Sequence, residues 1–309
     1  MIENGFRYNR VTEYYKDKFG ERVLKICVDG SFTCPNRDGS KGTGGCIFCS
    51  NLGSGELIKK APTITNQVEN YLSSYKAQRA NKFIVYFQNY TNTYDTIENL
   101  KSKYDSSLID DRIVGLSIAT RPDMINEEIA KLISTYKEKY YVQVELGLQT
   151  SNDKTKDLLN LKYDNNDLEK SLAILNNYGI DTVLHIMCGL PYESFEDIKN
   201  TVEYLNKLQY TGLKIHSTYV VKDTVLEKMY KEGSYIPITE EDYLKDLEYI
   251  ITHIPENIII HRIVGDAPKD ILVAPEWNLH KKRILNTFNK IMKDKNLYQG
   301  MYYKGGQNG

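Results

Sequence analysis

The segment GSFTCPNRDGSKGTGGCIFCS, residues 30–50, contains three of the five cysteines in this 309-residue chain. Eleven residues separate Cys34 from Cys46, and two separate Cys46 from Cys49. The first residues of the sequence are polar and contain no apolar stretch of the signal-peptide type, so we expect a reducing compartment. Cysteines crowded together in such a compartment indicate metal binding rather than disulfide bonds. The glycines between them would let the backbone wrap closely around a bulky inorganic core.

Three thiolates suit an iron–sulfur cluster that takes part in chemistry. Such clusters are usually held by four cysteines, so three leave one iron with an open coordination site. An open position likewise separates catalytic from structural zinc sites. S-adenosylmethionine can chelate that iron through its amino and carboxylate groups, and reduction then releases a deoxyadenosyl radical. The alternative is a structural zinc site with Cys27 as the fourth ligand, although we expect Cys27 and Cys188 to be buried core cysteines.

Strand-like and helix-like segments alternate through most of the chain. Six apolar or β-branched runs are each followed by an amphipathic segment, which predicts consecutive βα units. The strand-like runs cover residues 22–28, 83–88, 113–119, 141–148, 182–188 and 213–219. Near-continuous apolar strands joined by helices predict an α/β fold with a parallel sheet, which right-handed crossovers curl into a barrel. The cysteine loop follows the first strand, at the edge where such barrels place functional residues.

The pattern changes in the last quarter of the chain. A helix-like stretch, a strand-like run at residues 258–264 and a basic helix at about 279–295 follow one another there. We therefore predict a barrel over residues 1–235, with its cluster loop at 29–50, and a C-terminal α/β extension over residues 236–309. We expect this extension to pack on the barrel rather than to form a separate domain.

The composition excludes several classes of protein. Apolar residues make up 41% and charged residues 26% of the chain, as in soluble globular proteins. A formal net charge of −1 argues against a generally basic nucleic-acid-binding protein but permits a local basic patch. No window approaches the run of about eighteen apolar residues that a membrane helix needs, so we expect a cytoplasmic protein without membrane association.

The cysteine segment closely resembles the signature of the YhcC- and YtqA-like radical SAM proteins, which are relatives of the radical domain of the elongator catalytic subunit. The similarity continues over nearly the whole chain, in the strings YFQNYTNTY (86–94), LSIATRPD (116–123), VELGLQT (144–150), HIMCGLPYES (185–194) and HRIVGDAPKDILVAPEW (261–277). This resemblance implies a partial (β/α)6 radical SAM barrel with a C-terminal α/β extension. It also implies two cofactors, S-adenosylmethionine and a 4Fe–4S cluster held by Cys34, Cys46 and Cys49.

The resemblance further implies which residues contact S-adenosylmethionine: Phe48, Gln88, Thr91, Asn92, Arg121, Gln149 and Gly189. The phenylalanine matches an aromatic residue that flanks the adenine, and the next three lie in the loop that binds the methionine amino group. The arginine belongs to a recurring RPD element, the glutamine at 149 matches a cofactor-contacting glutamine, and the glycine lies where the backbone approaches the adenine. Asn92 could instead shape a turn, and Glu145 could neutralise a buried partner.

One element departs from the family pattern. After LGLQT, relatives carry Asn-Arg-Gly-His-Asp, whereas this chain has Asn-Leu-Lys-Tyr-Asp at residues 160–164. The family arginine is a plausible partner for the methionine carboxylate. Lys162 would replace it with a single ammonium group, which lacks the bidentate geometry of a guanidinium.

The relationship to the elongator domain implies tRNA as the substrate, modified at or near the wobble uridine. Such a substrate needs a swung-out base and phosphate contacts. The C-terminal helix offers the basic residues Lys281, Lys282, Arg283, Lys290, Lys293 and Lys295. We expect an electron donor such as flavodoxin or ferredoxin. The alternatives are a radical enzyme that acts on a small molecule or peptide, and a non-catalytic zinc-binding module that docks RNA or protein.

Overall fold

A curled sheet of seven parallel strands organises the chain in this computed structural model, which describes residues 6–53, 55, 58 and 61–305. The strands are β1 (Val23–Val28), β2 (Lys82–Phe87), β3 (Ile113–Thr120), β4 (Tyr141–Gln149), β5 (Asp181–Cys188), β6 (Gly212–Ser217), β7 (Val220–Val221), β8 (Ile259–Arg262) and β9 (Leu272–Ala274). The large sheet has the order β1-β2-β3-β4-β5-β6-β8, whereas β7 pairs with β9 in an antiparallel ribbon. Because neighbouring strands of the large sheet are parallel, the chain must cross over between them, and it does so through helical segments.

The helices are α1 (Val11–Phe19), α2 (Ile64–Leu72), α3 (Ile97–Asp105), α4 (Glu127–Thr135), α5 (Asp153–Leu158), α6 (Asn165–Asn177), α7 (Phe195–Leu205), α8 (Val225–Lys231), α9 (Glu240–His253) and α10 (Lys281–Asp294). Short polar side chains begin most of them. Thr96 and Asn126 accept hydrogen bonds from first-turn amides, and Asp164 and Ser194 form capping boxes. Each such cap stabilises its helix by about 1 kcal/mol.

Most of the hydrophobic core lies between the sheet and its helices. On the central strands, alternate side chains such as Leu116 and Ile118 are fully buried in this core. Burial of each side chain of this size contributes about 1.5–3 kcal/mol. A smaller cluster, which includes Ile47, Leu161 and Leu226, packs beside the cysteine loop. The hydrophobic core therefore supports the outer face of the sheet, and the inner face is available for other roles.

The structure confirms the predicted α/β barrel, and six strands lie within a few residues of the predicted runs. The sequence did not predict α1 or α5. The strand-like run predicted in the C-terminal extension forms β8, which pairs in parallel with β6, so the sheet continues into the extension. The boundary at residue 235 stays a prediction, and the ends of the two predicted regions, residues 1–5 and 306–309, lie outside the described residues. No helix in the described part of the chain is long and apolar enough to cross a membrane.

Candidate active site at the carboxyl edge of the sheet

Three cysteine thiols line one cavity of about 350 Å³ at the carboxyl edge of the sheet. Cys34, Cys46 and Cys49 belong to the loop after β1 and form no disulfide bond. Tight turns shape this loop, because the Arg37 amide donates to the Cys34 carbonyl (2.8 Å) and the Cys49 amide donates to the Cys46 carbonyl (2.9 Å). Gly45 has a φ of 76°, and a Cβ there would lie 2.8 Å from Arg37 Nε, so this position requires glycine.

Distant segments anchor the cysteine loop. The Ile47 amide donates to the Leu159 carbonyl (3.1 Å), and the Leu226 amide donates to the Ile47 carbonyl (2.9 Å). Within the loop, the Arg37 guanidinium donates to the carbonyls of Cys49 (3.0 Å) and Ser50 (2.6 Å). These contacts hold the thiols on a supported framework, which a metal-binding site requires.

The thiols influence one another electrostatically. Burial, together with the nearby Cys49 thiol, raises the pKa of Cys46 to about 12, and Arg121 opposes part of this shift. Burial alone would lower the pKa of Arg37, but Cys49 raises it overall. A thiol that coordinates a metal loses its proton outright. The two guanidinium groups would then offset the negative charge of the thiolates.

The donor set fits an iron–sulfur cluster. Three thiols that form no disulfide bond line one cavity, and two arginines lie beside them. Among the residues that the structure describes, no three His, Cys, Asp or Glu side chains are close enough together to hold a single metal ion. A cluster makes a weaker geometric demand, because each thiolate binds a different iron atom. The cysteines therefore need only to face the same space, and they do.

The predicted cofactor-binding residues that line this cavity are Phe48, Gln88, Thr91, Arg121 and Gln149. The Thr91 hydroxyl is buried and has no hydrogen-bond partner among the described residues. A buried polar group that lacks a partner is costly, so this hydroxyl is suited to contact a ligand. Gln149 sits at a bulge where the β4–β5 register shifts, and its φ is 66°. A Cβ on Gly147 would lie 2.6 Å from the Gln149 side-chain amide, so that glycine makes room for it.

Arg121 is buried at the end of β3 and fixed from several sides. Its guanidinium forms two hydrogen bonds of 2.9 Å with the Asp123 carboxylate. It also lies 5.0 Å from the centre of the Tyr163 ring. Although burial alone would lower the pKa of Arg121, Asp123 raises it overall, so the group stays charged. The cavity thus contains a permanent cation of fixed orientation next to the cysteines.

Three other predicted residues lie outside the cavity lining. The Asn92 amide donates to the carbonyls of Phe87 (3.2 Å) and Ala119 (2.7 Å), so it ties the end of β2 to the end of β3. Gly189 has a φ of 74°, and a Cβ there would lie 2.5 Å from Ile238, which explains the glycine structurally. Lys162 also has a positive φ, and its carbonyl accepts a hydrogen bond from Arg121 (3.4 Å). The cofactor contacts predicted for these residues stay predictions.

A buried ionic network lies on the inner face of the sheet, and sequence reasoning identified only part of it. The Glu145 carboxylate on β4 lies 2.6 Å from Lys25 Nζ and 2.9 Å from His185 Nε2, and it also contacts Lys214. Burial alone would raise the pKa of Glu145, but Lys214 and Lys25 hold it well below its usual range. Burial in turn lowers the pKa of Lys214 to about 7 and that of His185 to about 4. The signal in the sequence that could have revealed this network is the alternation of polar residues along the strands.

Two of the five cysteines remain. Cys188 is fully buried, as predicted. The expectation that Cys27 is a buried core residue is wrong, because its side chain is accessible from the cavity. Cys27 lies on β1, just before the cysteine loop. Alternate side chains of a strand point to the same face, so Cys27 and Lys25, two residues earlier, both face inward.

Comparisons with known proteins agree with this site. The model of the radical SAM superfamily matches residues 36–205, and that of the radical SAM C-terminal domain matches residues 210–294. Protein YtqA of Bacillus subtilis is 34% identical over 302 residues, which cover 96% of this chain and 93% of YtqA.

Two further similarities are more distant. The tRNA uridine(34) acetyltransferase of Dehalococcoides mccartyi is 32% identical over 167 residues, which are 53% of this chain and 36% of that protein. The solved structure of Elp3 from Methanocaldococcus infernus, with an N-terminal deletion, superimposes with a TM-score of 0.66 at 20% identity. The superposition covers 90% of this chain and 64% of that one, and it shows a shared fold.

Proposed function

This chain belongs to the radical SAM superfamily, and on that premise we propose that it is an enzyme that cleaves S-adenosylmethionine reductively to generate a deoxyadenosyl radical. Family membership confirms the two predicted cofactors, a 4Fe–4S cluster and S-adenosylmethionine. One observation carries the proposal. Three thiols that form no disulfide bond line the cavity at the carboxyl edge of the sheet, together with a Thr91 hydroxyl that has no hydrogen-bond partner among the described residues.

In this proposal, Cys34, Cys46 and Cys49 bind the cluster, and Thr91 binds the cofactor through its free hydroxyl. When bound, the cluster supplies the electron that breaks a carbon–sulfur bond of the sulfonium. Arg121 offers a fixed positive charge to an anionic group, because Asp123 and Tyr163 hold its guanidinium in place. Phe48, which also lines the cavity, offers an aromatic face. A small electron-transfer protein such as flavodoxin or ferredoxin would deliver the electron.

We further propose that the substrate is tRNA, modified at or near the wobble uridine. The support is the similarity to the tRNA uridine(34) acetyltransferase, together with the basic helix α10. On this helix, Lys281 and Arg283 are engaged in ion pairs with Asp266 and Glu240. They are therefore less available to phosphate than the sequence suggested.

Three exposed lysines of α10, namely Lys282, Lys290 and Lys293, form what we call the basic face. None of them forms an ion pair with any residue that the structure describes. At 100° per residue, positions 282 and 293 are about three helical turns apart and point in nearly the same direction, and position 290 is about 60–80° further around the helix. A row of unpaired lysines can follow a phosphate backbone.

Nucleoside analysis tests the substrate. Transfer RNA from cells with and without the gene is digested, and its modified uridines are compared by mass spectrometry. We expect one modified uridine to disappear with the gene. In parallel, replacement of all three basic-face lysines by Glu should weaken tRNA binding and reduce the slope of log K against log salt by about 2–3, because three phosphate contacts are lost. The control variant replaces three exposed lysines on other surfaces, Lys131, Lys170 and Lys207.

An unchanged nucleoside profile, or equal effects of the two triple variants, would contradict the tRNA proposal. A small polar molecule or a peptide would then become the preferred substrate. The polar inner face of the sheet, with Glu145, Lys214 and His185, favours that second candidate, because a largely buried ionic network can recognise polar groups of a small ligand.

A further inference from the structure

The inner face of the curled sheet is polar, whereas closed barrels usually fill their interior with bulky branched residues. On the β6–β8 side, Lys214, His216 and Arg262 all line the cavity. The parallel register pairs Lys214 with Arg262 on the neighbouring strand, and His216 follows two residues later on β6. Because strands run toward the carboxyl edge, His216 lies closer to the mouth of the cavity than the other two.

The charges around the cavity are unequal. Its lining contains the four cations Arg37, Arg121, Lys214 and Arg262, but only two carboxylates, which belong to Glu145 and Asp266. The first two cations lie near the cysteine loop. The other two belong to β6 and β8, at the opposite end of the strand order from β1.

Each carboxylate is shared between two cations. Glu145 contacts Lys25 as well as Lys214. Asp266 lies 3.3 Å from Arg262 but only 2.7 Å from Lys281, which lies outside the cavity lining. The β6–β8 side of the cavity therefore retains uncompensated positive charge.

His216 adds a buried hydrogen-bonding group. Its Nε2 atom is buried and forms no hydrogen bond with any described residue. Burial and the nearby His185 lower the pKa of His216 well below its usual range, so the ring is neutral and can donate one hydrogen bond. A buried polar atom without a partner indicates that a ligand completes the site.

We propose that Lys214, His216 and Arg262 bind an oxyanion of the substrate, either a carboxylate or a phosphate. An ammonium, a guanidinium and a neutral imidazole are the donors that recognise such a group through charge-assisted hydrogen bonds. An anion held there would leave the rest of the substrate directed toward the cysteine side of the cavity. This inference rests on the proposed function in one respect only, namely that the anion belongs to the substrate of the radical reaction.

Anion titrations of the anaerobically reconstituted holoprotein test the site without S-adenosylmethionine. Inorganic phosphate and acetate are titrated separately at constant ionic strength, and binding is followed by phosphorus and carbon NMR line widths. Arg262→Gln should weaken binding by about tenfold or more, the loss expected for a hydrogen bond to a charged group. The Arg262 side chain is 33% exposed, so the variant should fold. His216→Leu provides a second variant, with an expected weakening of several-fold.

Arg112→Gln is the matched control. Arg112 also pairs with a carboxylate, but it directly precedes β3 and so lies at the amino ends of the strands, away from the cavity at their carboxyl ends. If phosphate binds more tightly than acetate, the substrate carries a phosphate group. If acetate binds more tightly than phosphate, the substrate carries a carboxylate. The proposal is overturned if neither anion binds wild-type protein saturably, or if Arg262→Gln and Arg112→Gln behave alike. Cofactor cleavage is measured separately, so failure of the anion site and failure of the radical chemistry are distinguishable.

Discussion

The Glu145 network allows a prediction whose size follows from the structure. Glu145 is fully buried, and its carboxylate accepts hydrogen bonds from Ser117 (2.7 Å) and Gln143 (2.9 Å) in addition to its contacts with Lys25 and Lys214. Glu145→Gln keeps the shape of the side chain but removes its charge. Two largely buried ammonium groups then lose their counter-ion.

Removal of one partner from a buried ion pair costs about 3–5 kcal/mol, because an uncompensated charge is left in a poorly solvated place. The matched control is Glu248→Gln, since Glu248 pairs with Lys295 on the surface at 2.7 Å. Exposed pairs contribute only about 0–1 kcal/mol. We therefore expect the free energy of unfolding to fall several times further for Glu145→Gln than for Glu248→Gln.

The pKa of Lys214 predicts in which direction the loss of stability should change with pH. Burial lowers the pKa of Lys214 to about 7, so the folded chain releases that proton at a lower pH than the unfolded chain does. Stability associated with Lys214 therefore rises with pH above about 7. The loss caused by Glu145→Gln should accordingly be smaller at about pH 9 than at about pH 6, and addition of Lys214→Met should recover part of it.

Urea unfolding of the three variants and the wild type at both pH values measures these effects. Equal losses for Glu145→Gln and Glu248→Gln would refute the reasoning. So would a loss for Glu145→Gln that grows with pH.

Three further predictions concern the site and the core. Cys34→Ala should abolish the iron and sulfide content of reconstituted protein, whereas Cys188→Ser should retain about four irons per chain; zinc without iron in the wild type would contradict the cluster. Thr91→Val should weaken S-adenosylmethionine binding, measured by equilibrium dialysis, and leave the iron content unchanged. Thr182→Val is its control, because that hydroxyl is also buried and unpartnered among the described residues but lies outside the cavity lining. Burial raises the pKa of Asp246 to about 7, so its contribution to stability is lost as pH rises through about 7. Asp246→Asn should gain stability relative to wild type between about pH 5 and pH 8, and parallel stability–pH curves would count against this assignment.

Local patterns predicted much of the fold. Strand positions follow from apolar periodicity, which is a property of a few consecutive residues, and β3, predicted at 113–119, spans Ile113–Thr120. The prediction of the cluster site was equally local, because its three candidate ligands lie within sixteen residues of sequence, from Cys34 to Cys49. The short helix α5 was not predicted, because six residues make fewer than two helical turns and carry little periodic signal.

The contacts between residues that are far apart in the sequence could not be deduced from local patterns. Lys25 and Lys214 are 120 and 69 residues away from Glu145, and only the curl of the sheet brings all three together. The same curl exposes Cys27 to the cavity, although its strand neighbours suggested the core.

The sequence by itself thus determined the main parallel strands and the order of βα units, and it singled out the three candidate cluster cysteines, because each of these depends on short-range spacing. The tertiary structure alone decided that Arg121 lines the cavity while Lys162 lies outside its lining, and that α10 leaves only part of its positive charge unpaired. Ion pairing and burial depend on which surfaces meet when strands curl and helices pack. Residue type fixes which interactions are possible, but distance and solvent exposure in the folded chain determine which of them form.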